Sequence, residues 1–99
     1  MRKVIISKTA LKDTAPIADY IEAKFSIKFR IEFIDKLKKG FELIQNNPES
    51  FLKSEVNIEY RRFVLTKQTT IYYKYNKTEI RILALFDTRR NPSKINKIK

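Results

Sequence analysis

The sequence predicts an α+β domain of order β-α-α-β-β-β, with a helical hairpin packed on one face of a mainly antiparallel sheet. Three observations predict it. A short β-branched run opens the chain, two segments with apolar residues at helical spacing follow, and from residue 60 the apolar period falls to two. The 99 residues hold no repeat and no low-complexity linker, so one domain over 1–99 is expected.

The first strand is "KVIIS" at 3–7. In the first helix Leu11, Ala15, Ala18, Ile21 and Phe25 form the apolar stripe, with Asp13, Asp19, Glu22 and Lys24 between them. Pro16 lacks an N–H and is harmless only near a helix start, so the helix is expected to begin between residues 9 and 13 with local irregularity. Ser26 is a natural cap for a second helix. Its main stripe is Ile27, Ile34, Leu37, Phe41 and Ile44, with Ile31 and Phe33 beside it, and "NNP" at 46–48 stops it. Gly40, the only glycine, implies close packing, expected against the first helix. The short connection at 25–26 makes the two helices an antiparallel hairpin.

"YRRFVLT", "TIYYKY" and "EIRILALFD" read as three strands. With "NK" at 76–77 as a two-residue hairpin loop, Tyr73 should face Ile80 and Tyr72 should face Arg81. Phe63, Leu65, Ile71, Tyr73, Ile80, Ile82, Ala84 and Phe86 then share the face under the helices. Arg62, Val64, Tyr72, Lys74, Arg81, Leu83, Leu85 and Asp87 share the other, which is left at least partly open. The tail at 91–99 is basic and expected to be mobile.

Charge is the strongest compositional signal. Lys and Arg number 22 against 11 Asp and Glu, a net charge of +11. Residues 51–99 hold twelve of those bases and four acids, an excess of +8. Such concentration points to an acidic partner, either nucleic acid or protein. The chain has no cysteine and no histidine, which removes thiolate chemistry, the commonest general base and the commonest metal ligand. No metal and no small-molecule cofactor is expected. No apolar run approaches the length of a membrane span, and the opening "MRKVIISK" is too short in apolar residues for a signal peptide, so a soluble cytoplasmic protein is expected.

Taken together, "SKTALKDTAPIADYIEAKFS", "NNPESF" and "RRFVL…TIYYKY…IRILALFDTRRNP" resemble the RelE/ParE toxins of bacterial type II toxin–antitoxin systems across nearly the whole chain. The resemblance implies a growth-arresting toxin held inactive by a cognate antitoxin. Its target would be DNA gyrase in one branch and ribosome-bound mRNA in the other. The nuclease branch commonly uses strand arginines with a lysine, glutamate, histidine or terminal aromatic. Here histidine is absent and no aromatic residue follows Phe86, which tilts the reading towards a non-catalytic, ParE-like gyrase inhibitor.

The alternative is a metal-independent endoribonuclease in which Arg62, Arg81 and Arg90 stabilise the phosphorane. Its base would be Glu55 or Glu59, or Lys53 with a lowered pKa; a lysine or Tyr72 would be its acid. The third reading is a basic nucleic-acid-binding module, for which neither a helix-turn-helix pattern nor the motif of an RNA-binding sheet is present. The candidate target-binding residues are Arg62, Tyr72, Lys74, Arg81, Arg89 and Arg90. In the closing stretch "FDTRRNP", Asp87 is the acid near two arginines.

Overall fold

Alternation and helical spacing are realised in five strands and two helices. The computed structural model describes residues 2–53 and 59–89. Strand β1 (Lys3–Ile6) leads into α1 (Lys8–Lys24) and α2 (Ile27–Asn46), then a short 3-10 turn (Pro48–Ser50). The strands β2 (Leu52–Lys53), β3 (Arg61–Val64), β4 (Thr69–Tyr75) and β5 (Glu79–Asp87) follow. The sheet order is β1-β5-β4-β3-β2, antiparallel except where β1 lies parallel to β5. The two-residue edge strand β2 was not expected. Arg90, Glu55 and the tail at 91–99 lie outside the described residues.

The helix starts earlier than Pro16 suggested. Ser7 caps it, its Oγ accepting from the Ala10 N–H at 3.0 Å. Pro16 sits inside the helix, and the carbonyl it deprives of a donor belongs to the exposed Lys12. Both apolar stripes are turned from the expected setting. In α1 the buried positions are Ala10, Asp13, Ile17, Ala18 and Ile21, while Leu11, Ala15 and Phe25 are exposed. In α2 they are Phe33, Leu37, Gly40 and Ile44, while Ile27 and Ile31 are exposed. These residues meet Ile71, Tyr73, Ile80, Ile82 and Leu85 of the sheet in one core.

Gly40 explains the setting of α2. A Cβ built there would stand 3.0 Å from Leu65 Cδ1 and 3.3 Å from Phe63 Cε1. The glycine therefore brings α2 down onto the sheet, not onto α1. Gly40→Leu should overpack this contact and lower stability by about 1–3 kcal/mol, measured by urea denaturation; an unchanged midpoint would show that α2 can lift without cost.

Two features set the register of the last hairpin. The Asn76 Oδ1 accepts from the backbone N–H groups of Thr78 and Glu79, each at 2.9 Å, and the Asn76 N–H donates to the Glu79 carbonyl. The turn thus closes over Lys77 and Thr78, one residue later than expected. Tyr75 faces Ile80, Lys74 faces Arg81 and Tyr73 faces Ile82. This shift of two along β5 preserves the faces. Leu83 then bulges out of the ladder, so that Tyr72 faces Ala84 and not Arg81.

The bulge reverses the side of every later residue. Leu85 enters the helix-covered core, whereas Ala84 and Phe86, expected there, lie on the face of Tyr72. Asp87, expected on the open face, moves to the helix side. The first helix secures the irregularity. Ser7 Oγ donates to the Leu83 carbonyl at 2.9 Å, and the buried Asp13 accepts the Leu85 N–H at 3.0 Å. Since β1 stops pairing at Ile82, these side chains serve a strand edge that has no strand beside it among the described residues.

Candidate functional site

The face turned away from the helices carries the candidate residues from three strands. Arg62 on β3 faces Tyr72 on β4, and Lys74 two residues along faces Arg81 on β5. Like charges directly opposite repel, so the Lys74–Arg81 pairing concentrates positive potential at one place. Glu79 offsets part of it: Arg81 Nε donates to its Oε1 at 2.6 Å. Lys74, Tyr75, Asn76, Glu79 and Arg81 line a pocket of about 300 Å³ there. Lys3 on β1 is in register with Glu79 and adds a further cation. It was missed in the sequence because the place of β1 in the sheet could not be read.

Tyr72 is 3% exposed, and so belongs to the floor of this face. Arg62 is half-buried, and Glu59 is exposed in the turn before β3. Arg61, adjacent to Arg62, has a different task. Its Nη1 donates to the carbonyls of Glu49 at 3.2 Å and Phe51 at 2.7 Å, and its guanidinium lies over the Tyr75 ring at 5.5 Å. Arg2 lies 5.3 Å from the same ring centroid. Tyr73, pointing into the core, donates its hydroxyl to the Pro48 carbonyl at 2.6 Å, and burial raises that hydroxyl above its ordinary pKa against the field of Arg61.

Arg89 is not on this face. The bulge has carried Asp87 to the helix side, and Arg89 goes with it. Arg89 Nη2 donates to Asp87 Oδ2 at 2.8 Å, Nε to Oδ1 at 3.1 Å, and the Arg89 N–H to Oδ1 at 2.9 Å. Thr69 donates its hydroxyl to Oδ2 at 2.7 Å. Asp87 is 2% exposed. Burial pushes its carboxyl up, but the bonds from Arg89 and Thr69 outweigh burial and hold it below the usual carboxylate value. The same pairing raises the guanidinium of Arg89. Structure thus brings Arg62, Tyr72, Lys74 and Arg81 together and sets Arg89 apart. Among the described residues, no group of three acidic, histidine or cysteine side chains is placed to hold a metal ion, and no helix is long and apolar enough to cross a membrane.

A helical hairpin on one face of a five-stranded mixed sheet, with basic side chains on the other, defines the architecture of a small RelE/ParE-like toxin. The chromosomal ParDE system of P. aeruginosa contains a chain of this fold, with a TM-score of 0.75 at 18% identity over 88% of this chain and 96% of that one. YafQ from E. coli strain BL21(DE3) matches with a TM-score of 0.58 at 18% identity over 90% and 96%. The Helicobacter pylori protein HP0894 matches at 0.55 and 20% identity over 91% and 98%. The sequence itself matches the family model of the ParE toxin of the type II toxin–antitoxin system parDE over residues 4–92, and the chain belongs to that family. By family it is thus the toxin component of a two-component system whose other member is an antitoxin. No curated protein sequence matches the chain.

Proposed function

We propose that this toxin arrests growth in the cytoplasm by docking the basic sheet face onto an acidic surface of DNA gyrase, and that the antitoxin relieves the arrest. The observation that supports this reading is the opposition of Lys74 and Arg81, with Arg62 on the same face and Glu79 already held by Arg81. Such a face gathers cations for binding, while its carboxylate is engaged. No cofactor takes part.

A ribosome-dependent mRNA endonuclease is the second reading, because Arg62 and Arg81 share this face and arginine forks fit phosphate oxygens. Induction of the toxin alone, with plasmid supercoiling and transcript integrity followed in the same culture, separates the two. Altered supercoiling with intact transcripts is the expected result. Cleaved transcripts with unchanged supercoiling would select the nuclease.

A further inference from the structure

The outer surface of α2 carries a shallow concavity of about 290 Å³ lined by Ile27, Arg30, Ile31, Ile34, Asp35 and Lys38. Ile27 is 56% exposed and Ile31 62%, while Ile34 is half-buried beside them. Scattered exposed apolar residues need no explanation, but these three follow one another along one helix face. The lining has a second property. Its six positions pair off about a point midway between residues 32 and 33: Ile27 with Lys38, Arg30 with Asp35, and Ile31 with Ile34. A two-fold axis demands that kind of set, because residue i of one copy must suit residue j of the other while j suits i.

We infer that the toxin free of antitoxin pairs with a second copy of itself through this face, α2 lying antiparallel to the α2 of the second copy. Ile31 then meets Ile34 of the second copy, and Arg30 meets its Asp35, each contact occurring twice. The Lys38 stem covers Ile27 while its ammonium stays in water. Both charged groups can take the new partner. Arg30 bonds Asp19 and Glu22 through Nη1 alone, and Asp35 holds the exposed Lys39 through Oδ2. Charge also favours a second copy over an acidic partner here. Residues 9–47 hold seven bases and six acids, so the helical hairpin is nearly neutral in a chain of net charge +11. The excess of +8 in residues 51–99 stays on the sheet side, separated from its counterpart by two layers of helices, and salt screens charges beyond about 10 Å at 0.1 M. A contact limited to one helix face buries less than a standard interface, so a dissociation constant of about 10–100 μM is expected. The inference is independent of the target. Its consequence is a bivalent particle with the two basic sheet faces turned outwards at opposite ends.

Sedimentation equilibrium of the purified full-length toxin without antitoxin, from about 1 to 200 μM, tests this. Wild type should pass from monomer to dimer over that range. Ile27→Ser/Ile31→Ser should weaken dimerisation at least about 10-fold. Asp35→Lys, which sets like charges face to face twice, should weaken it about 10-fold at low salt and less at high salt. The chain has no cysteine, so Ile31→Cys gives a clean cross-link: mild oxidation should join two copies, whereas Leu11→Cys on the exposed side of α1 should stay monomeric. A wild-type toxin that remains monomeric at 200 μM overturns the inference. So does a dimer that the folded double variant leaves unchanged. If the double variant fails to fold, Asp35→Lys decides: an unchanged constant at low salt overturns the inference. Loss of antitoxin binding by the double variant, with wild type monomeric throughout, would make the antitoxin the occupant and also overturn it. A wrong assignment of the target face leaves these measurements untouched.

Discussion

Arg89→Ala should destabilise the fold by about 3–5 kcal/mol, because it leaves a charged carboxylate buried without its cation. Asp87 is 2% exposed and takes three of its hydrogen bonds from Arg89, one of them from the backbone. Asp87→Ala should cost less, about 1–3 kcal/mol, since the Arg89 side chain can turn to water. The pH dependence follows from the sign of the shift. The folded carboxyl is held below its ordinary 3.8, so its stabilisation is present above that value and is lost as pH falls through the lower, folded one. Arg89→Ala removes the main cause of that lowering, and burial then raises the carboxyl. The deficit of the variant should therefore shrink as acid protonates Asp87. Urea denaturation from pH 3 to 7 measures both effects. If Arg89→Ala keeps wild-type stability yet no longer arrests growth, Arg89 is a contact residue of the toxic surface, as the sequence suggested.

Arg81→Glu and Lys74→Glu, made singly, should each abolish growth arrest while the fold survives. Either change places opposite charges across from one another in the β4–β5 ladder, so stability should move by about 1 kcal/mol or less. The existing Arg81–Glu79 pair is exposed enough that its loss matters little. Target binding is a different matter. Reversing a cation that meets an acidic surface should weaken binding by about 30-fold or more, and binding by the wild-type protein should fall with salt. Growth after induction, with circular dichroism of the purified variants, gives the answer. Full arrest by folded Arg81→Glu would remove the sheet face from the mechanism.

Element order and the two-faced sheet were legible because their signals are local: Ser26 as a cap, "NNP" as a stop, and alternation through "TIYYKY". The helix rotations were not, because both helices carry more apolar residues than one stripe needs. Gly40 chose among those stripes by what lies beneath it, Phe63 and Leu65, which are distant in sequence. The bulge left no trace for a related reason. Residues 82–86 are all apolar, so alternation there cannot tell inside from outside, and the side chains that secure the bulge, Ser7 and Asp13, come from the other end of the chain. Of the candidate site, Arg62, Lys74 and Arg81 were recoverable because they precede the bulge or lie on other strands. Arg89 was misplaced because it follows the bulge. Arg61 passed unnoticed, since its partners are backbone carbonyls.

The parallel pairing of β1 with β5 also orders events in time. The first strand leaves the ribosome with no partner, and the tether from Ser7 to Leu83 spans 76 residues. At ordinary synthesis rates that separation is roughly 4–15 s. During that delay Arg81 has not been joined to Lys74, and the basic face does not exist. The helical hairpin is made well before it. A chain built in this order carries no complete basic face until nearly all of its sequence has been made.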